Sequence, residues 1–193
     1  MAQVLIRPAR PADIPDLVRL NDIADAGLPA LIAGRDGAGA AEVARRLSAA
    51  MARTVASPGP PLVAEDPAGA ILGCVQAYTM PRQPDDPPPL PDLVPIRALK
   101  SRITGWRYID YLAVDPAARG QGLGARLLQA AAGRTESEQH PTPGLALIVF
   151  EANAPARALY ARAGLTEAAR DATARPVWAP DQGAAILLTK AWT

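Results

Sequence analysis

Residues 111–131 read YLAVDPAARGQGLGARLLQAA and carry the strongest structural signal in the sequence. A short apolar run ends at a proline turn, an arginine and three alternating glycines follow, and the remainder has the apolar spacing of a helix. Glycines let the backbone approach a phosphate closely, and the first N–H groups of a helix point toward such an anion. A tight strand-to-helix turn that binds nothing is the simpler interpretation, but such a turn needs only one glycine. The pattern therefore favours a strand, an anion-binding loop and a helix.

Two nucleotide-binding patterns fit these glycines. GQGLGA at 120–125 matches the dinucleotide template G-x-G-x-x-G/A, and Glu151 could serve as the acidic residue after the next strand. In a Rossmann unit the first glycine follows the strand directly, whereas here the five residues DPAAR intervene. Starting at Arg119, the pattern RGQGLG instead describes a cradle for a pyrophosphate. The helix dipole and the arginine would add positive charge there.

The whole-chain composition narrows the function classes. The 193 residues suit one domain spanning 1–193, and 20 Lys and Arg against 19 Asp and Glu leave no basic surface for nucleic acid. No apolar run approaches the length of a membrane span, and the first fifteen residues lack the apolar core of a secretory signal. We therefore expect a cytoplasmic protein with neither a nucleic-acid nor a membrane partner.

Cysteine and histidine are too scarce for several kinds of site. The single Cys74 and the single His140 exclude a disulfide within the chain and a structural zinc cluster built from several such residues. Cys74 lies in a strand-like apolar run and is expected to be a small buried residue. His140 precedes a proline in a polar turn, which favours an exposed loop histidine over a catalytic one. No metal site is predicted.

The remaining pattern predicts alternating strands and helices around a mixed sheet. Helices are expected after residue 14 as far as Gly27, from 41 to 53, shortly after 95, from 122 to 133 and from 153 to 164; residues 27–40 are expected to form a looser connection. Strands are expected at 4–9, in a hairpin turning at DPAG, at 106–114, at 145–150 and near 165–175 and 184–190. The proline-rich segment 81–95 is predicted to be a stiff surface loop, with a ligand for an SH3-type domain as the alternative.

Two segments resemble the GNAT superfamily of N-acetyltransferases. YLAVDPAARGQGLGARLL is similar to the family's acetyl-CoA-binding segment, whose signature is Q/R-x-x-G-x-G/A after a V-x-P turn. LIVFEANAPARALYARAGL resembles the next strand and helix, with their N-x-x-A-x-x-L-Y-x-x-x-G-F/L pattern. The resemblance is strong from 106 to 165 and weak from 28 to 100. It implies an α/β (α+β) GNAT fold, with a mixed, mostly antiparallel sheet of six to seven strands, splayed at the cofactor site and flanked by about four helices.

The resemblance also implies how acetyl-CoA would be held. The pantetheine arm would lie along the strand edge, and the glycine loop would hold the pyrophosphate. Asn153 would hydrogen-bond the cofactor from the end of the next strand. The implied cofactor-binding residues are Leu112, Ala113, Val114, Arg119, Gly120, Gln121, Gly122, Leu123, Gly124, Asn153 and Tyr160.

Two residues are candidates for proton transfer. Tyr160 matches the family's tyrosine that protonates the departing thiolate, although it could also be an amphipathic residue at the edge of its helix. The incoming amine must lose a proton, and Asp110 shares a strand face with Tyr108 and Leu112. Asp110 could therefore act as base through a water, or it could simply orient the amine. Glu151 is a lesser candidate.

The resemblance implies an N-acetyltransferase that uses acetyl-CoA to acetylate a small-molecule or peptide amine by direct attack. A non-catalytic acyl-CoA sensor or interaction domain of the same fold is the alternative, and a dinucleotide-dependent enzyme is a third hypothesis. The segments 27–40 and 81–95 are expected to line the acceptor pocket, because they show no core periodicity. Many members of the family are homodimers, so the resemblance also allows a homodimer.

Overall fold

A computed structural model describes residues 4–82, 93–133, 142–173 and 180–192. This part of the chain contains seven strands and six helices. The strands are β1 (Leu5–Pro8), β2 (Leu62–Glu65), β3 (Ile71–Thr79), β4 (Arg107–Val114), β5 (Gly144–Phe150), β6 (Thr166–Asp171) and β7 (Ala185–Ala191). The helices are α1 (Ile14–Ala24), α2 (Leu28–Gly34), α3 (Ala40–Val55), α4 (Val94–Ser101), α5 (Leu123–Ala132) and α6 (Ala154–Arg162).

The strands form one mixed sheet in the order β1-β2-β3-β4-β5-β7-β6. The β1–β2, β2–β3, β5–β7 and β6–β7 pairs are antiparallel, while β4 and β5 are parallel. β5 has a hydrogen-bonded neighbour on each side, which explains its continuous apolar sequence. The predicted α/β class and the mostly antiparallel sheet are confirmed, with the upper of the two expected strand numbers.

The helix count differs from the prediction, because six helices are present in the described ranges instead of about four. The clearest error is the connection 27–40, where α2 forms. Gly27 adopts a left-handed conformation with φ 85° and Pro29 lies in the first turn of α2, a position that proline favours. No residue of this seven-residue helix is fully buried. At seven residues it has only about two turns, which is too short for apolar periodicity to distinguish a helix from a loop.

The predicted hairpin between β2 and β3 is confirmed. The Oδ1 atom of Asp66 accepts hydrogen bonds from the backbone N–H groups of Ala68 at 2.9 Å and Ala70 at 2.8 Å. Gly69 has φ 89°, a conformation that residues with side chains rarely adopt. Aspartate therefore stabilises this turn by accepting backbone hydrogen bonds, and glycine by adopting the left-handed conformation.

The chain forms two compact units, Met1–Ala77 with Tyr111–Arg134, and Tyr78–Asp110 with Thr135–Thr193. The first unit has a core that includes Leu17, Leu20, Met51, Val63, Cys74 and Tyr111. The second has its own core, which includes Met80, Leu99, Ile103, Tyr108, Ala146 and Leu187. Residues of β3 and β4 belong to both units. The single domain expected from the sequence stays a prediction.

A buried ion-pair network ties the edge of the first unit together. Arg7, on β1, donates to Asp13 Oδ2 at 2.7 Å and Oδ1 at 3.0 Å, and to Glu65 Oε2 at 2.6 Å. The side chains of Arg7 and Asp13 are only 9% and 7% exposed. Hydrogen bonding from Arg7 lowers the pKa of Asp13, against the opposing effect of burial.

Several expectations fall on parts of the chain that lie outside the described residues. His140 and positions 83–92 of the proline-rich segment are among them. Pro95, at the end of that segment, lies in the first turn of α4 and not in a loop. Within the described ranges, no helix combines the length and the apolar composition needed to cross a membrane.

Candidate functional site

The glycine loop of the first unit lies between β4 and α5, in the order expected from the sequence. One turn of 3-10 helix, Pro116–Ala118, follows β4, and α5 begins at Leu123. Gly120 and Gly122 are left-handed, with φ 77° and 75°. A Cβ atom at either glycine would meet no other atom within 4 Å. Glycine is therefore needed at both positions for backbone conformation and not for space.

The loop presents an unbroken row of backbone donors. In the described part of the chain, the N–H groups from Gly120 to Ala125 make no hydrogen bond, and the first N–H of α5 to find a partner is that of Arg126, which bonds the Gly122 carbonyl at 3.2 Å. No side chain caps this helix end. Leu123 is only 3% exposed, so its side chain anchors the helix while its N–H stays available. Six successive free N–H groups and the helix dipole suit a diphosphate.

The DPAAR segment holds this loop in place. The Asp115 carboxylate accepts from Ala117 N–H at 3.0 Å and from Arg19 Nη1 at 2.7 Å, which ties the loop to α1. Both bonds lower the pKa of Asp115. Arg119 is exposed, and its Nε donates to the Val114 carbonyl at 3.3 Å. The guanidinium thus lies beside the end of β4, with further N–H groups for an anion.

The strand edge proposed for the cofactor lies at the end of β4. Ala113 is buried, whereas Leu112 and Val114 are partly exposed, as the period of a strand requires. β3 approaches this segment so closely that a Cβ atom on Gly73 would come within 2.8 Å of the Ala113 carbonyl oxygen. Pairing of β4 with β5 covers Arg107–Ile109, before this segment begins. The predicted splay stays a prediction.

In the second unit, α6 carries Asn153 and Tyr160. The Asn153 Oδ1 caps the helix by accepting from Ala156 N–H at 3.2 Å, which leaves its amide N–H groups as donors. Tyr160 is 7% exposed, and burial raises its pKa to about 12. Among the described residues its hydroxyl has no hydrogen-bond partner. Tyr160 is therefore a protonated donor that is not already occupied, as a general acid requires.

Asp110, also in the second unit, has two neighbours that the sequence did not indicate. Its Oδ1 accepts from the Tyr78 hydroxyl at 3.3 Å and lies 3.4 Å from Lys100 Nζ. Burial and the charge of Asp110 raise the pKa of Tyr78, which keeps this phenol protonated. Tyr78 and Asp110 are 32 residues apart, and Lys100 lies on α4, so no local spacing could have connected them.

Glu151 is held by neighbouring groups, and Cys74 is buried in the core. Glu151 pairs with Arg170 and accepts from Ala184 N–H at 3.4 Å, and these partners lower its pKa. Both oxygens of Glu151 therefore have partners, Oε1 in Arg170 and Oε2 in Ala184, whereas Oδ2 of Asp110 has none in the described part of the chain, which favours Asp110 as the candidate base. Cys74 is fully buried as predicted, and burial raises the pKa of its thiol to about 12. Its thiol is therefore not a nucleophile at neutral pH.

Comparison with known proteins places the chain in a family. Residues 38–165 match the model of the acetyltransferase (GNAT) family. This range contains the glycine loop, Asp110, Asn153 and Tyr160. A search of curated protein sequences finds no match.

Solved structures of similar fold cover almost the whole chain. One is a phosphinothricin acetyltransferase of the GNAT superfamily from Sinorhizobium meliloti in complex with AcCoA, at 18% identity and TM-score 0.61, covering 97% of this chain and 88% of that one. An N-acetyltransferase from Staphylococcus aureus matches at 15% identity and TM-score 0.63, covering 98% and 99%. A spermidine/spermine N-acetyltransferase from Vibrio cholerae matches at 14% and 0.62, covering 98% and 95%. At such identities the similarity establishes the fold and not the substrate.

Proposed function

Since the chain belongs to the acetyltransferase (GNAT) family, we propose that it transfers the acetyl group of acetyl-CoA to a primary amine of a small molecule or peptide. The observation that carries the proposal is the row of free N–H groups from Gly120 to Ala125, which suits the pyrophosphate of coenzyme A.

Each group of residues has donors suited to one part of acetyl-CoA. The loop residues Gly120, Gln121, Gly122, Leu123 and Gly124 would bind the pyrophosphate through their N–H groups, and Arg119 would add a charge-assisted contact. The backbone of Leu112, Ala113 and Val114 would pair with the amides of the pantetheine arm. Asn153 would contribute its amide N–H groups, because its oxygen is used in capping α6.

Acetyl transfer to an amine requires one substitution at the thioester carbonyl and two proton transfers. The amine nitrogen attacks the thioester carbonyl, so an N–C bond forms and the C–S bond breaks. Asp110 takes the proton that the amine loses, directly or through a water. Tyr160 gives its proton to the departing thiolate, which leaves as the thiol of coenzyme A. The raised pKa of Tyr160, about 12, keeps that proton in place at neutral pH.

The names of the similar structures support acetyl transfer, but they do not agree on a single type of acceptor. The Sinorhizobium meliloti protein is named for phosphinothricin and contains AcCoA, whereas the Vibrio cholerae protein is named for spermidine and spermine. One is an amino acid and the others are polyamines. The acceptor of this chain must therefore be sought in its own residues.

A thiol-release assay across a panel of primary amines tests the proposal. We expect coenzyme A to appear at a rate that depends on the amine, and acetyl-CoA to raise the melting temperature of the protein while NAD does not. Protein with Gly122→Ala, in which the loop backbone is strained, serves as the comparison for cofactor binding.

The outcomes separate the hypotheses. A melting temperature raised by acetyl-CoA without amine-dependent thiol release would support the non-catalytic acyl-CoA sensor instead. A rise with NAD and none with acetyl-CoA would contradict the proposal altogether and support a dinucleotide enzyme.

A further inference from the structure

The two oxygens of Asp110 have different environments. Both contacts that the structure gives this carboxylate, from Tyr78 and from Lys100, are made to Oδ1. In the described part of the chain Oδ2 has no partner, and the side chain is 37% exposed. One oxygen is therefore fixed by the protein, and the other is available to a cationic group from outside.

Lys100 is held beside this carboxylate by contacts within the second unit. Its Nζ lies 4.8 Å from the centre of the Tyr108 ring and 3.4 Å from Asp110 Oδ1. Tyr108 is buried, and its ring lies 5.8 Å from that of Tyr78. A cation over an aromatic face and beside a carboxylate is well positioned. The Lys100 side chain is still 23% exposed, so it can also meet a bound molecule.

Asp110 and Lys100 place one negative and one positive charge side by side at an exposed position. An acceptor that carries an ammonium and a carboxylate on the same carbon matches this arrangement, with its ammonium at Asp110 Oδ2 and its carboxylate at the Lys100 ammonium group, which has three N–H donors. An acceptor with a second amine at that place, such as a polyamine, would meet the like charge of Lys100.

We propose that Lys100 and Asp110 together select α-amino acids as acetyl acceptors, with Lys100 as the specificity-determining residue for the acceptor's carboxylate. This inference rests on the proposed acetyl transfer. It assigns to Lys100 a role beyond supporting the carboxylate of Asp110. A purely structural Lys100 would affect all acceptors equally.

Matched acceptor pairs that differ only in the carboxylate provide the test. Phenylalanine is compared with phenethylamine, and lysine with cadaverine, by thiol release from acetyl-CoA. We expect kcat/KM for the amino acid of each pair to exceed that for the amine by about tenfold or more, the value of one charge-assisted hydrogen bond. In Lys100→Met the ratio should fall to about one, and Lys100→Arg should restore most of it.

Arg102→Met is the control, because it removes a positive charge two residues away, on an exposed side chain with no contact to Asp110. Its ratio of kcat/KM for the amino acid to kcat/KM for the matched amine should equal that of the wild type. Melting temperatures identify any variant that does not fold. An unchanged ratio in Lys100→Met, or a preference for the amines in the wild type, would overturn the inference while leaving acetyl transfer intact. Absence of thiol release with every acceptor would instead reject the proposed function, and this inference with it.

Discussion

At the scale of single residues, chemical role depends on what the side chain contacts. Tyr160 was predicted from its register with Asn153, but a tyrosine at the edge of a helix has the same spacing. Its burial, its raised pKa and a hydroxyl that has no partner among the described residues favour the proton donor. Asp110 and Glu151 were both plausible bases from the sequence. Their contacts distinguish them, since both oxygens of Glu151 have partners whereas Oδ2 of Asp110 has none in the described part of the chain.

Tyr160→Phe tests the proton donor. We expect kcat for thiol release to fall about 100-fold or more, because the thiolate must then leave without a general acid. KM for acetyl-CoA and the melting temperature should change little, since the ring remains and the hydroxyl makes no hydrogen bond in the described part of the chain.

Tyr111→Phe is the matched control for that variant, because Tyr111 is equally buried, at 7% exposure, and its hydroxyl contacts the Met51 sulfur in the core of the first unit. Its kcat should stay near that of the wild type. A Tyr160→Phe enzyme of normal kcat would show that Tyr160 only packs its helix.

At the scale of elements, the strand, loop and helix from Arg107 to Ala132 follow from local rules. The alternating burial from Ile109 to Val114, a proline turn, left-handed glycines and the apolar stripe of α5 are all encoded within a few residues. α2 is the counterexample. It has only seven residues and none is fully buried, so its sequence is too short to show a helical pattern.

Gly122→Ala tests whether the loop backbone holds the co-substrate. A side chain at φ 75° costs about 1 kcal/mol of stability, and relief of that strain would turn the neighbouring N–H groups. We expect KM for acetyl-CoA to rise about tenfold, with kcat less affected. Initial rates at varied acetyl-CoA and chemical unfolding measure the two effects.

Gly69→Ala supplies the comparison, because Gly69 has φ 89° in the β2–β3 turn and its Cβ position is also uncrowded. It should lose similar stability and keep its KM. Equal KM values in the two variants would mean that the glycine loop only shapes the turn.

At the scale of the whole molecule, stability depends on groups that the function does not use. Arg7 and Asp13 are buried in the first unit and Glu65 is partly exposed, so loss of either carboxylate leaves the buried Arg7 charge with one partner instead of two. The cytoplasmic location and the homodimer stay predictions at this scale.

Asp13→Asn should lower the free energy of unfolding at pH 7 by about 3 kcal/mol, the lower end of the range for a broken buried pair, because Arg7 keeps Glu65 as a partner. The pKa of Asp13 is lowered in the folded protein, mainly by Arg7, so its contribution is present above the unfolded pKa, near 4, and is lost as pH falls through the folded value. Urea unfolding between neutral pH and about pH 3 should therefore show a shallower acid dependence in the variant.

Asp16→Asn is the control for this loss. Asp16 pairs with Arg19 at the surface, where both side chains are more than 40% exposed, and such pairs contribute at most about 1 kcal/mol. A loss as large as that of Asp13→Asn would show that burial of the network is not what matters.

The amino-acid sequence is sufficient to predict the family resemblance, the order of most elements, the hairpin turn and the glycine loop. Each of these depends on residues that lie close together in the chain, where backbone preference and periodicity act directly. In contrast, the contacts of Asp110 with Tyr78 and Lys100, and the pairing of Glu151 with Arg170, are visible only in the folded molecule. Those contacts depend on how the strands pair and how α4 packs on them. The spacing of apolar residues along the chain carries no information about that packing.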